Sequence, residues 1–228
     1  MKRGHWQILL AAALFLLALG LTLYPVVSNW YVGRHQSRIQ TEYREALEQT
    51  DSAEIESIRE SAAAYNKTIT PGAAEEAYSQ ASIRLAAEDY VNQLNVSGSG
   101  IMGYVEIPKI GVDLPIYHGT GADSLDRGTG HLLGSSLPVG GESTHTIITG
   151  HSGMASQKMF TDLEQLREGD IFYLHVLDET LAYEVREIHT VLPHDTTYLG
   201  IEPGEDLCTL VTCTPTGVNT HRLLVQGS

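Results

Sequence analysis

Twenty consecutive residues near the N-terminus, Ile8 to Val27, carry no charge, and that run constrains everything that follows it. As a helix it rises about 30 Å, the thickness of the hydrocarbon layer of a bilayer. Lys2 and Arg3 precede it. The positive-inside rule then keeps the N-terminus in the cytoplasm and sends the rest of the chain outside, with Trp30 and Tyr31 at the outer interface. A cleaved signal peptide is the competing reading, with a candidate cleavage point at Val26-Val27-Ser28. The run exceeds the about 7 to 15 residues of a signal-peptide core and Pro25 lies late in it, which favours an uncleaved anchor.

The rest of the chain, within a total of 228 residues of which 42% are hydrophobic, suffices for one globular domain with accessory segments. A formal net charge of −14 argues against a nucleic-acid partner, because phosphate binding rests on clustered Lys and Arg. From Ser37 to Asn95 the pattern is helical: Ile39, Tyr43, Leu47, Ile55, Ile58 and Ala62 recur at steps of three and four or their multiples. Asp51 with Glu54 forms a candidate capping box that restarts the helix after a break. Thr70-Pro71 is a second start signal, and Ala74, Tyr78, Ala81, Leu85 and Leu94 carry the period onward. This segment holds five basic and eleven acidic residues and reads as a solvated outer face.

"NVSGSG", Asn95 to Gly100, is a linker, and beyond it the pattern changes to short β-like runs separated by turns. These are "IMGYVEIPKI", "LPIYH", "HTIITG", "DIFYLHV", "LAYEVREIHTVL", "CTLVT" and "HRLLV", which predict an all-β barrel or sandwich. One short helix is expected at Met159 to Leu166. The division that follows is an anchor over residues 1–35, a helical pre-barrel segment over 36–95 and a β domain over 96–228.

An extracytoplasmic location permits disulfides. Cys208 and Cys213 are the only cysteines, and they lie five apart on one β-like run, so they point to opposite faces and should not pair. Cys213 is then a free thiol, useful as a nucleophile when a base or cation stands near it. His151, in "TGHSG", lies just past a β-like run, where a loop side chain is positioned by a rigid scaffold. Arg222 follows Cys213 by nine residues across "TPTGVNTH", the length of a hairpin-like return that brings it to the neighbouring strand. An inert buried thiol and a solvated loop histidine are the plainer alternatives. A zinc site from Cys208, Cys213 and His221 is disfavoured by the opposed cysteines and the missing CxxC pair. His118, His131, His145, His175, His189 and His194 receive no role.

These residues resemble the sortases, and within them the class C, pilin-polymerising type. "TLVTC", Thr209 to Cys213, matches the family's TLxTC signature; "TCTPTGVNTHRLLV", "TGHSGMASQKMFTDLEQLREGDIFYLHV" and "GYVEIPKIGVDLPIYHGT" are similar to the class C segments, over residues 101 to 227. The resemblance implies an eight-stranded sortase β-barrel with short helices, preceded by the helical segment and one transmembrane helix. It implies Cys213 as nucleophile, His151 as general acid and base, and Arg222 as the group holding substrate and oxyanion, with Thr212 contacting substrate near the scissile bond.

The implied reaction cleaves an LPxTG-like sorting signal between Thr and Gly through a thioacyl enzyme, which a lysine amine of the next pilin subunit resolves. No cofactor or metal is expected. The protein would sit in the cell membrane by a single N-terminal pass with its catalytic domain extracellular. Two features depart from the class C pattern. The pre-barrel segment has no Asp-Pro-aromatic lid motif, so another residue such as Tyr78 would plug the groove or the site would stand open. The chain also stops at Ser228, where many class C members continue into a second membrane helix, so a single anchor or a truncated chain is expected. Alternative readings are a sortase anchoring surface proteins to the cell-wall cross-bridge and a non-catalytic module that binds sorting signals.

Overall fold

The computed structural model describes residues 2–70, 72–74, 88–154 and 157–228. Helix α1, Lys2–Gln49, runs without interruption through residue 35. Its stretch His5–Tyr24 has a mean hydropathy of 2.2 and none of it is buried; Trp6, for example, is 72% exposed. Length and composition suit a membrane span, and among the described residues no other element covers its apolar surface. Trp30, Tyr31 and Pro25 have side chains outside the described part.

The break expected before Asp51 is present. Asp51 has extended backbone and its carboxylate accepts a hydrogen bond from Ala53 N at 2.8 Å, starting helix α2, Ser52–Asn66. Glu54 adds an acidic residue to that first turn, where the helix dipole favours it. Of the second start signal and its period, Pro71, Tyr78, Ala81 and Leu85 lie outside the described residues. The chain is described again in helix α3, Glu88–Asn92.

The β domain is a closed barrel of eight strands: β1 Ile101–Ile107, β2 Val112–His118, β3 Thr129–His131, β4 Thr144–Thr149, β5 Ile171–Val176, β6 Glu179–Val191, β7 Asp206–Thr214 and β8 His221–Gly227. Around the barrel the order is β1-β2-β3-β4-β7-β8-β6-β5. The pairs β2/β3 and β4/β7 are parallel and the others antiparallel. The seven β-like runs of the sequence each hold a strand. Pro108 ends the first one early, so "PKI" forms a 3-10 turn after β1.

The strand missed is β3. It has three residues, all buried, so it shows no alternation. Its central Gly130 is fixed by space: a Cβ there would lie 2.3 Å from Gly119 O. The helix expected over Met159–Leu166 is instead one 3-10 turn at Leu163–Gln165. Met159, Phe160, Leu163 and Leu166 are all buried, which produces helix-like spacing, but Met159 takes a φ of 43° and Leu166 is extended, so no helix can run through them.

Alternation sets the interior. In β5, Phe172, Leu174 and Val176 point inward while Ile171, Tyr173 and His175 do not. Together with Val105, Ile148, Leu210 and Val225 they belong to one cluster that fills the barrel and continues to Ile55 and Ala62 of α2 and to Tyr90 and Leu94. A second cluster, on the outer face of β4, β7 and β8, gathers Ile147, Val211 and Leu224 with Leu132 and Ala74.

The C-terminal half of α1 docks on the barrel wall made by β1 and β2. Tyr43, 2% exposed, donates from its hydroxyl to Met102 O and accepts from Leu177 N, both at 3.1 Å. Its ring meets Tyr104 edge-on, with centroids 5.5 Å apart, and Gln40 donates to Asp113. Tyr43→Phe removes both bonds of that hydroxyl and takes a partner from Met102 O and from Leu177 N. The expected loss is about 1–3 kcal/mol, read as a lower unfolding midpoint of the full chain in detergent. An unchanged midpoint would mean that α1 contributes nothing to holding the barrel.

Candidate active site

The ends of β4, β7 and β8 lie side by side, and their outward residues line a cleft of about 250 Å³. Cys213 and Arg222 are direct cross-strand partners in the antiparallel pair β7/β8, so their side chains share a face. The hairpin-like return read from the sequence thus brings the two together. His151 follows β4 by two residues and lines the same cleft, as does Thr212. Leu125, Leu132, Pro193 and Val211 supply apolar wall.

The two cysteines face opposite ways, as period-two alternation requires. Cys208 is fully buried in the barrel interior, which pushes its thiol pKa well up, with Asp206 adding to the rise. Cys213 is free and partly exposed in the cleft.

Several bonds stitch the His151 loop to β7. Gly150 N donates to Val211 O at 3.0 Å, Thr212 Oγ1 to Gly150 O at 2.7 Å and Ser152 Oγ to Cys213 O at 2.6 Å. Phe160 N donates to His151 O at 2.9 Å, and Gly153 N to Thr161 Oγ1 at 3.0 Å. Gly150 is required by packing, since a Cβ there would come within 2.7 Å of the Phe160 ring. These contacts fix the backbone on both sides of the imidazole. Asp126 Oδ1 stands 3.8 Å from His151 Nε2, the one carboxylate paired with this ring among the described residues.

Arg222 uses Nη1 on carbonyls of its own return, His221 O at 3.0 Å and Asn219 O at 3.4 Å. Of its five donors the others carry no protein bond among the described residues. Thr212 is 3% exposed with its hydroxyl engaged on Gly150 O. The arrangement offers a thiol, an imidazole and a guanidinium around one apolar-walled cleft, the components of acyl transfer through a thioester. Among the described residues no three His, Cys, Asp or Glu side chains converge on a metal-binding geometry.

The sequence reading missed Ser152, Thr161 and Asp126, whose roles depend on contacts across the fold, and Thr149, the last residue of β4, which lines the cleft. Its hydroxyl and that of Tyr104 are the buried side-chain oxygens without a hydrogen-bond partner among the described residues.

Residues 105–228 match the Sortase domain family. Among solved structures, the chain is 45% identical to the sortase C of Streptococcus pneumoniae, with a TM-score of 0.77 over 83% of this chain and 95% of that one. It is 44% identical to sortase C-1 of Actinomyces oris, with a TM-score of 0.71 over 77% of this chain and 97% of that one. The S. pneumoniae structure was described as informing catalysis and pilin substrate specificity. Sortase A of Streptococcus agalactiae is 29% identical over 130 residues, 56% of this chain and 52% of that protein, so the chain spans about half the length of this curated relative.

Proposed function

Because the chain belongs to the sortase family, we propose that it is a cysteine transpeptidase that cleaves an LPxTG-like sorting signal between Thr and Gly and joins the Thr carbonyl to a pilin lysine. The observation that carries this reading is the cross-strand pair Cys213 and Arg222 lining one cleft with His151. The likeness to structures named sortase C, one of them described for its pilin substrate specificity, supports pilin joining over cell-wall anchoring.

In this mechanism Cys213 and His151 share one proton. Cys213 Sγ attacks the Thr carbonyl carbon while that proton resides on His151, and the carbonyl oxygen becomes an oxyanion to which the Arg222 guanidinium donates. As the tetrahedral intermediate collapses, the C–N bond breaks and His151 protonates the leaving Gly amine. The lysine amine then attacks the thioester carbon and gives its proton to His151, and the C–S bond breaks, returning the thiolate that shares that proton. Thr212 serves through its place in the wall and its hold on Gly150 rather than through a free hydroxyl. Helix α1 is the membrane anchor of this reading, with the barrel outside the cell. Its C-terminal half packs on the β1 wall, and β1 is the strand opposite β7 in the eight-strand order.

The test is incubation of the full chain in detergent with an LPxTG-type peptide and, in parallel, a lysine-bearing pilin fragment or a short cross-bridge peptide, followed by mass spectrometry. A thioacyl adduct that yields isopeptide product with the pilin fragment supports the reading. Preference for the cross-bridge amine would move it to wall anchoring, and no adduct would overturn it. Arg222→Lys should lower kcat/KM about 10²-fold or more, because a point charge replaces the planar fork at the oxyanion, while Cys213 alkylation stays at the wild-type rate. A kcat/KM near wild type would remove Arg222 from the chemistry.

A further inference from the structure

Thr149 stands at the end of β4, in register with Val211 of β7 and Gly130 of β3. It shares the outward face of Ile147, whose cluster with Leu132 and Val211 floors the cleft. Its polar neighbours have partners: Thr212 donates to Gly150 O, Ser152 to Cys213 O, Thr146 to Ser136 O and Thr129 to Pro115 O. Among the described residues the Thr149 hydroxyl has none, and it is shut off from water as well. In this wall a valine would fill the same shape without a buried, unpaired polar atom, so the hydroxyl makes the free protein less stable than it could be. That cost is recovered only by something that enters the cleft.

Strand order says what lies within reach. β7 runs between β4 and β8, so Thr149 flanks the nucleophile strand on one side and Arg222 on the other. A peptide lying over Cys213 has its backbone between them. We propose that Thr149 is a substrate-binding residue whose hydroxyl, turned into the cleft about χ1, hydrogen-bonds a peptide group of the acyl donor. A threonine hydroxyl can donate or accept, which suits either end of that group. The proposal rests on the transpeptidase reading and adds to it a hydrogen bond made on the β4 side.

Thr149→Val and Thr149→Ser in the full chain test it, with thioacyl formation from an LPxTG-type peptide, Cys213 alkylation and Tm measured on each. The expected result for Thr149→Val is a Tm higher by about 2–4 °C, a kcat/KM lower by about tenfold and an unchanged alkylation rate. Thr149→Ser, which keeps a hydroxyl, should recover most of the lost kcat/KM. A lower Tm in Thr149→Val would overturn the proposal, since the hydroxyl would then be holding the fold. Wild-type kcat/KM in Thr149→Val would overturn it too, with the transpeptidase reading left standing. No adduct from the wild type would sink both together.

Discussion

Cys213→Ala is expected to leave a folded protein with no thioacyl adduct and acyl transfer lower by about 10⁴-fold or more. The side chain lies at the cleft and outside the barrel interior, so its removal takes the nucleophile and little packing. Cys208→Ala should behave in the opposite way. That residue is fully buried against the interior cluster, and its loss opens space there at a cost of about 1 kcal/mol or more, while each folded molecule keeps its turnover. Alkylation separates the two before any substrate is added. A thiol reagent should modify Cys213 in the native protein and reach Cys208 only on unfolding. An acyl adduct on Cys213→Ala, or equal labelling of both thiols in the native state, would reject the assignment of the nucleophile.

What was legible in the sequence was what local periodicity writes down. Alternation along "CTLVTC" was enough to face Cys208 and Cys213 apart, and the turn residues of "TPTGVNTH" were enough to return Arg222 to the neighbouring strand, as the β7/β8 register shows. Asp51 marked the restart of the helix for the same local reason. Short or mixed elements left no such record. β3 has three buried residues and is held by close backbone approach at Gly130, which a periodic pattern cannot report. The segment at Met159–Leu166 has helical spacing because four side chains enter the core from a turn and its flanks, and burial imitates period there. The supports of the site were illegible for a further reason. Ser152 to Cys213 and Thr212 to Gly150 join residues 61 and 62 positions apart, and Thr149 matters through the absence of a partner, which only a fold can display. The resemblance named the three chemical groups, while the contacts that orient them came from the parallel pairing of β4 with β7.

His131, given no role from sequence, should make the protein sensitive to acid. It is completely buried, with Nε2 2.8 Å from Ser136 O and Nδ1 2.9 Å from the Tyr90 hydroxyl. A carbonyl only accepts, so Nε2 carries the proton and donates, and Nδ1 is left to accept from Tyr90; the ring is neutral. Burial holds its pKa down to about 4, with the Ser136 carbonyl opposing and His118 adding to the fall. The unfolded chain takes up a proton near the ordinary histidine value of about 6.5, so between there and about 4 it binds more protons than the folded state. Stability is therefore full above about pH 6.5 and declines as pH falls toward 4, by about 3 kcal/mol from this residue alone. The loss bears on the cleft side of the barrel. Tyr90 also accepts from Gly119 N at 3.0 Å, so the same hydroxyl ties α3 to the turn after β2 and to β3, one residue from the cleft-lining Leu132. In His131→Gln, which can still donate to Ser136 O, the stability-versus-pH slope over that window should flatten by up to about 1.4 kcal/mol per pH unit relative to wild type. Denaturant unfolding of both proteins at several pH values measures it. Parallel curves would mean that His131 takes a proton as readily in the fold as outside it, and that the Tyr90 contact does not require the neutral ring.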